Sequence, residues 1–171
     1  RNSISSGHNI LSTIHADKAS AIPYRLYSLM ETDLDVHQFL TTIYRYIQLG
    51  VHIKAFYSKQ YGKFHRELDE VAEFYVDDNN VPRSRIIYQK IMGHTMMCKP
   101  SAHMVEYLSN QNIDVSDIIK DLPDDLPIVD GHVDMEQYKQ MMGITDDEEE
   151  KTEEIVASPV VEETKSEEAV V

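Results

Sequence analysis

A short apolar run near the start of the chain places the strongest constraint on its fold. Residues 10–14 read I-L-S-T-I; a Gly-His pair lies ahead of them, and His15 follows. The run is short for a helix, and its strand-forming residues and the glycine ahead of it favour a buried parallel strand. His15 would then lie at the carboxyl end of the strand, where open α/β sheets bind their ligands. The pattern therefore predicts an α/β fold with a functional site near His15.

The run is part of a longer pattern that resembles a known family. Residues 6–16 read S-G-H-N-I-L-S-T-I-H-A. They resemble the histidine box of the type II/IV secretion-system ATPases, hexameric ATPases of secretion machines and of type IV or Tad-type pili. The next residues, A-D-K-A-S-A-I-P-Y-R-L, are similar to the helix that follows the box in that family. The resemblance implies that residues 1–120 are the C-terminal part of a RecA-like P-loop ATPase core.

The resemblance also assigns roles to five residues. His8 and His15 match the two histidines of the box and are expected to act in catalysis, next to the γ-phosphate of ATP. Gly7, Thr13 and Arg25 are expected to contribute to cofactor binding. A neutral imidazole can donate one hydrogen bond and accept another, so loss of the γ-phosphate would change its bonding. The alternative for each of these residues is an ordinary structural role.

The sequence lacks the phosphate-binding loop that such an ATPase needs. No G-x-x-x-x-G-K-[ST] pattern occurs in it, so ATP and Mg²⁺ are expected only together with a preceding segment that supplies this loop. The resemblance further implies a cytoplasmic homo-hexamer, peripheral at the inner face of the membrane and bound to an inner-membrane secretion or pilus platform protein. A second hypothesis is a non-catalytic adaptor or binding module that retains the half-fold and acts through an acidic tail.

Cysteine usage separates branches of the family and bears on metal binding. One cysteine, Cys98, cannot supply the four-cysteine zinc module of some members, which favours the zinc-free Tad/Flp pilus and type IV secretion branches. His94, Cys98 and His103 are spaced H-x₃-C-x₄-H. That spacing matches no standard zinc finger, and Pro100 interrupts any helix face that the three could share. We therefore predict no metal site.

Charge is distributed unevenly along the chain. It has 30 acidic residues against 16 lysines and arginines, and 11 of the acids but only 2 lysines lie from Asp146 onward. The remainder is mildly acidic and offers no broad surface for nucleic-acid phosphates, so no nucleic-acid partner is expected. Residues 145–171 are predicted to form a disordered acidic tail. Residues 121–144 are predicted to form a linker with a short amphipathic helix.

Periodicity predicts two helices after the box and then a strand. The first helix follows Asp17 or Ser20, and the second follows Asp33 or Asp35 and stops at Gly50. Residues 51–56 alternate between apolar and other side chains, as a strand does.

The segment after residue 63 fits either a helix or a strand. The resemblance favours a strand, because the family has short antiparallel strands near this point. Residues 77–80 read D-D-N-N, a strong turn signal, and residues 85–89 fit the returning strand of a hairpin. Later helices are predicted after Ser101, around residues 115–122 and within residues 134–142.

Overall fold

A meander of four antiparallel strands is the central element of the structure. The structure is a computed structural model, and it describes residues 11–30, 33–59 and 61–144. The strands lie side by side in chain order: β1 (Leu49–Ser58), β2 (Lys63–Val76), β3 (Pro82–Ile91) and β4 (His94–Met97). All three neighbouring pairs are antiparallel, so β1 and β4 are the edges of this sheet. The fold is therefore mixed α/β with an antiparallel sheet.

The described residues also form five short helices and a second, two-stranded sheet. A 3₁₀ turn at Ala19–Ala21 leads directly into the first helix. The helices are α1 (Ile22–Leu29), α2 (Val36–Ile43), α3 (Ala102–Asn110), α4 (Ser116–Ile119) and α5 (Met135–Met142). The small sheet pairs β5 (Ile128–Val129) with β6 (His132–Val133).

Side-chain caps explain where three of the helices begin. Asp35, Ser101 and Asp134 each precede a helix, and each accepts a hydrogen bond from the backbone N–H three residues later. This bond satisfies one of the amides that a helix leaves unpaired at its start. The predicted starts after Asp35 and Ser101 and within residues 134–142 are confirmed.

The predicted hairpin over residues 64–89 is confirmed. β2 and β3 are paired, and the turn between them is fixed by Asp77, whose carboxylate accepts the N–H groups of Asn79 (3.0 Å) and Val81 (2.9 Å). Asn80 has a φ of 62°, which asparagine tolerates better than most residues. The Val81 N–H and the Arg83 guanidinium hold the pKa of Asp77 below its usual value.

Two apolar clusters lie against the sheet. In the first, α1, α2 and the 3₁₀ turn cover the middle of β2, and its buried members are Ala19, Phe39, Leu40, Tyr44, Ala72 and Phe74. The second lies between β4 and the C-terminal elements and contains Met96, Cys98, Leu126, Val133 and Tyr138. The Tyr138 hydroxyl donates to the Met97 carbonyl (3.1 Å), which ties α5 to β4. Leu126, Val133 and Tyr138 thus pack with residues of the sheet and its end, while the predicted domain boundaries remain predictions.

The predicted strand over residues 10–14 is wrong for the residues described. Residues 11–16 have no regular secondary structure, and the Leu11 side chain is 99% exposed. A parallel strand needs neighbours on both sides, and no described strand pairs with this segment. Gly50 also differs from its prediction, because α2 ends at Ile43 and Gly50 lies within β1.

Some predictions fall outside the described residues. They concern Gly7, His8 and Ile10 near the start, and the acidic tail over residues 145–171. Within the described part, no helix combines the length and apolar character that a bilayer crossing requires.

Candidate functional site

Of the site residues predicted from the histidine box, the structure describes Thr13, His15 and Arg25. Thr13 and His15 lie in the irregular segment 11–16, and both are exposed. Arg25 lies in α1 and is also exposed. Gly7 and His8 are outside the described residues. Thr13 and His15 therefore lie at the surface of the described part of the molecule.

The chain becomes fixed immediately after the box. Ala19 is fully buried, and its carbonyl oxygen lies close over Gly50 of β1. A Cβ atom added at Gly50 would lie 2.9 Å from that oxygen and 2.9 Å from the Phe74 ring. Only glycine leaves room for this contact, so Gly50 allows the segment after the box to pack directly on the sheet.

The buried carboxylate of Glu70 makes a second contact with the segment after the box. We call these two contacts, Ala19 on Gly50 and Ser20 on Glu70, the anchor. Glu70 in β2 is 1% exposed, and its Oε1 accepts the Ser20 N–H at 2.8 Å. Its Oε2 receives a longer hydrogen bond of 3.5 Å from the Gln89 side chain in β3. A buried carboxylate must be hydrogen-bonded to be tolerated, which ties the position of Ser20 to the two central strands. His15 is five residues upstream of this fixed point.

A second buried carboxylate secures the opposite face of β2. Successive side chains of a strand point to opposite faces, so Glu73 is directed away from Ala72 and Phe74. It is 1% exposed and accepts both the N–H (2.9 Å) and the hydroxyl of Ser101. Since Ser101 also caps α3, this contact fixes the start of α3 on the sheet.

A partly exposed cluster of charges lies next to the β-bulge between β1 and β2. Asp69 accepts hydrogen bonds from His52 Nδ1 (2.8 Å) and from Lys54 Nζ (3.0 Å). Burial alone would raise the pKa of Asp69, but these two hydrogen bonds outweigh it and hold the pKa below its usual value. Asp69 therefore remains ionised at neutral pH and acts as an acceptor, not as an acid.

Among the cavities formed by the described residues, two lie beside the sheet. One, of about 240 Å³, is lined by aromatic and polar residues that include Tyr44, Gln48, Tyr75, His103 and Tyr107. The other, of about 320 Å³, lies between the 3₁₀ turn and the β5–β6 segment, and its lining includes Ser20, Arg85, Asp125 and Leu126. Neither of these cavities is lined by Thr13, His15 or Arg25.

The burial and hydrogen bonding of Cys98 indicate a structural role for its thiol. Among the described residues, no group of three or more His, Cys, Asp or Glu side chains is placed to hold a metal ion. Cys98 is buried and donates to the Ile86 carbonyl, while His103 stacks on Tyr75 at 5.0 Å. Burial raises the pKa of the Cys98 thiol, and the nearby Arg85 opposes this only in part.

No protein-family model matches the chain, and neither does any curated protein.

Sequence reasoning missed the anchor formed by Gly50 and Glu70. Gly50 was predicted to end a helix, and Glu70 lies among the acids of E-L-D-E, where nothing in the sequence distinguishes it from the other two. Glu70 lies on the same face of β2 as Ala72 and Phe74, but the sequence alone does not show that this face is covered by other elements.

Proposed function

We propose that this chain is the C-terminal part of a traffic ATPase that powers pilus assembly or protein secretion. The observation that carries the proposal is the eleven-residue histidine box at residues 6–16. Under this proposal His8 and His15 respond to the phosphate state of ATP, and Thr13 and Arg25 help to bind the nucleotide. The protein would act as a cytoplasmic homo-hexamer at the inner face of the membrane, on a platform protein, with a RecA-like core.

Two features of the described residues support this proposal. The helices and the antiparallel hairpin follow the box in the order that the resemblance implies. The anchor formed by Ala19, Ser20, Gly50 and Glu70 lies just after the box. A change at His15 would therefore be transmitted to the central strands through only a few residues of chain.

The described residues do not by themselves form a site for ATP and Mg²⁺. Thr13 and His15 are exposed and line neither of the two cavities. The sequence also offers no P-loop whose N–H groups would surround the phosphates. In the proposal, a preceding segment of the polypeptide holds the nucleotide and Mg²⁺, and the box contributes hydrogen bonds to that site from one side.

The test is ATP turnover by the full-length polypeptide with both box histidines replaced. His8→Ala/His15→Ala should lower turnover by about 10² or more, a typical loss when a positioned imidazole is removed. His37→Ala/His132→Ala is the matched control, because both side chains are exposed elsewhere on the surface; it should retain wild-type turnover. Wild-type turnover in the box variant would contradict the role of the histidines.

The same assay addresses the second candidate function, a non-catalytic adaptor. The absence of a P-loop from the sequence favours this candidate. If the wild-type full-length polypeptide neither binds nor hydrolyses ATP, the motor proposal is contradicted and the adaptor becomes the better account.

A further inference from the structure

The far end of the β1–β2 hairpin differs in charge from the rest of the molecule. Residues 54–66, called the hairpin tip below, contain four lysines or arginines and no aspartate or glutamate. The chain as a whole has a net charge of −14. Except for Ser58, which is half-buried, the described residues of the tip are exposed. The tip is therefore a basic projection on an acidic protein.

The cations of the tip are mostly available to a partner. Lys54 is bonded to Asp69 at 3.0 Å. Lys59, Lys63 and Arg66 form no ion pair with another described residue. Their charges are thus not neutralised within the described part of the fold.

Aromatic side chains lie between these cations on both faces of the tip. The rings of Tyr57 and Phe64 are 5.6 Å apart and are 55% and 66% exposed. On the other face, Phe56 lies 5.6 Å from His65. On the face of Tyr57, Ile53 lies beyond Ala55 and is 58% exposed. Exposed aromatic rings flanked by cations are typical of an interaction site.

The end of the same chain has the complementary composition. Residues 145–171, the C-terminal segment, hold 11 acids and 2 lysines. Residues 155–161 read I-V-A-S-P-V-V and are flanked by Glu153-Glu154 and Glu162-Glu163. This is an apolar centre between two pairs of acids, matching the aromatic centre and flanking cations of the tip.

The point of attachment gives the C-terminal segment access to the tip. Its preceding helix, α5, is tied to β4 through Tyr138 and Met97. Val71 of β2 lies opposite Tyr88, which lies opposite Met97, and the seven steps from Val71 to Phe64 span about 23 Å. A segment of this length can extend to about 90 Å, so it reaches the tip easily. Attachment also gives it an effective concentration on the order of millimolar.

We propose that the hairpin tip is the docking site for the C-terminal segment of the same chain. The acids of that segment bind Lys59, Lys63 and Arg66, and its apolar centre covers Tyr57 and Phe64. A nucleic acid would meet the same cations, but the net negative charge of the remaining protein repels it. A separate acidic protein would lack the advantage of attachment.

The test places a nitroxide on the C-terminal segment of the full chain through Ser158→Cys. Cys98 is only 3% exposed, so labelling is directed to the introduced thiol, and the unsubstituted chain measures any background. Amide signals of residues 54–66 should lose about half of their intensity or more if the segments are in contact. At roughly 0.5 M salt, where the Debye length is only about 4 Å, most of this loss should disappear.

Charge reversal then identifies the contact. Lys59→Glu/Lys63→Glu should restore the intensities, whereas Lys18→Glu/Lys120→Glu, at exposed lysines outside the tip, should leave the loss unchanged. Absence of selective loss at the tip, or an equal loss in the Lys59→Glu/Lys63→Glu variant, would overturn the proposal.

Mixed samples distinguish the other occupants. Loss that passes from nitroxide-labelled chains to isotope-labelled chains without nitroxide would mean that a second copy supplies the segment, and the proposal would be overturned. If a single-stranded oligonucleotide shifts the tip amides while the nitroxide does not affect them, the tip binds nucleic acid, and the proposal would also be overturned.

Discussion

At the scale of single residues, Gly50 and Glu70 determine how the segment after the histidine box meets the sheet. The Ala19 carbonyl lies in the space that a side chain at residue 50 would need, and the Ser20 N–H is paired with Glu70 Oε1. In the segment after the box, both contacts use backbone atoms, the Ala19 carbonyl oxygen and the Ser20 N–H, so they depend little on the side chains of that segment. The anchor is therefore a property of the sheet residues.

Gly50→Ala tests this close approach. The added methyl group would lie 2.9 Å from both the Ala19 oxygen and the Phe74 ring. Because a backbone atom must move, the free energy of unfolding should fall by about 1–3 kcal/mol. Urea denaturation measures the change. Ala55→Val is the control, an enlargement at an exposed position of the same strand; it should change stability by no more than about 0.5 kcal/mol. Equal stability of Gly50→Ala and wild type would contradict the packing described here.

At the scale of elements, side-chain hydrogen bonds hold two of the helices, α3 and α5, to the sheet. Glu73 accepts two hydrogen bonds from Ser101 at the start of α3, and Tyr138 of α5 exchanges hydrogen bonds with Met97 of β4. Short helices gain little stability on their own. Their positions therefore depend on such contacts and on the apolar clusters beneath them.

Ser101→Ala tests the contact at α3. It removes the N-cap of the helix and leaves the buried Glu73 with one donor fewer. We expect a loss of about 2–3 kcal/mol in unfolding free energy. Asp35→Ala removes a cap at an exposed site on α2 and should cost only about 1 kcal/mol. Thermal or urea unfolding of both variants decides the matter; losses of equal size would show that Glu73 adds nothing to the cap.

Local chemistry in the sequence predicted most elements but not their partners. Asp35, Ser101 and the D-D-N-N turn act through nearby backbone groups, and each was predicted correctly. The strand prediction for residues 10–14 was wrong for the residues described. Apolar, strand-forming side chains indicate a preference for burial, but they do not specify the neighbouring strands that would bury them. Similarly, no local signal separates the buried Glu70 and Glu73 from the exposed acids of the chain.

At the scale of the whole molecule, the described fold presents two exposed regions with different chemistry. One is the irregular segment that holds Thr13 and His15, fixed at its downstream end by the anchor. The other is the basic and aromatic hairpin tip. We propose nucleotide sensing for the first and docking of the C-terminal segment for the second, and the two proposals can fail independently.

The candidate site could be predicted from the sequence only in part. The resemblance to the histidine box identified residues 6–16 as the region of interest. The box alone does not specify which groups His15 would hydrogen-bond to in the proposed site, because those groups belong to another segment. The hairpin tip was missed because its charge becomes conspicuous only when β1 and β2 are paired, which brings Lys59 and Lys63 to one end of the molecule.

The central claim is that the box responds to nucleotide, and amide hydrogen exchange tests it most directly. In the full-length polypeptide, a non-hydrolysable ATP analogue with Mg²⁺ should slow exchange of residues 11–16 by about tenfold, because a segment without regular structure becomes hydrogen-bonded. Residues 94–97 of β4 should not change. Identical exchange of residues 11–16 with and without saturating nucleotide would contradict the claim.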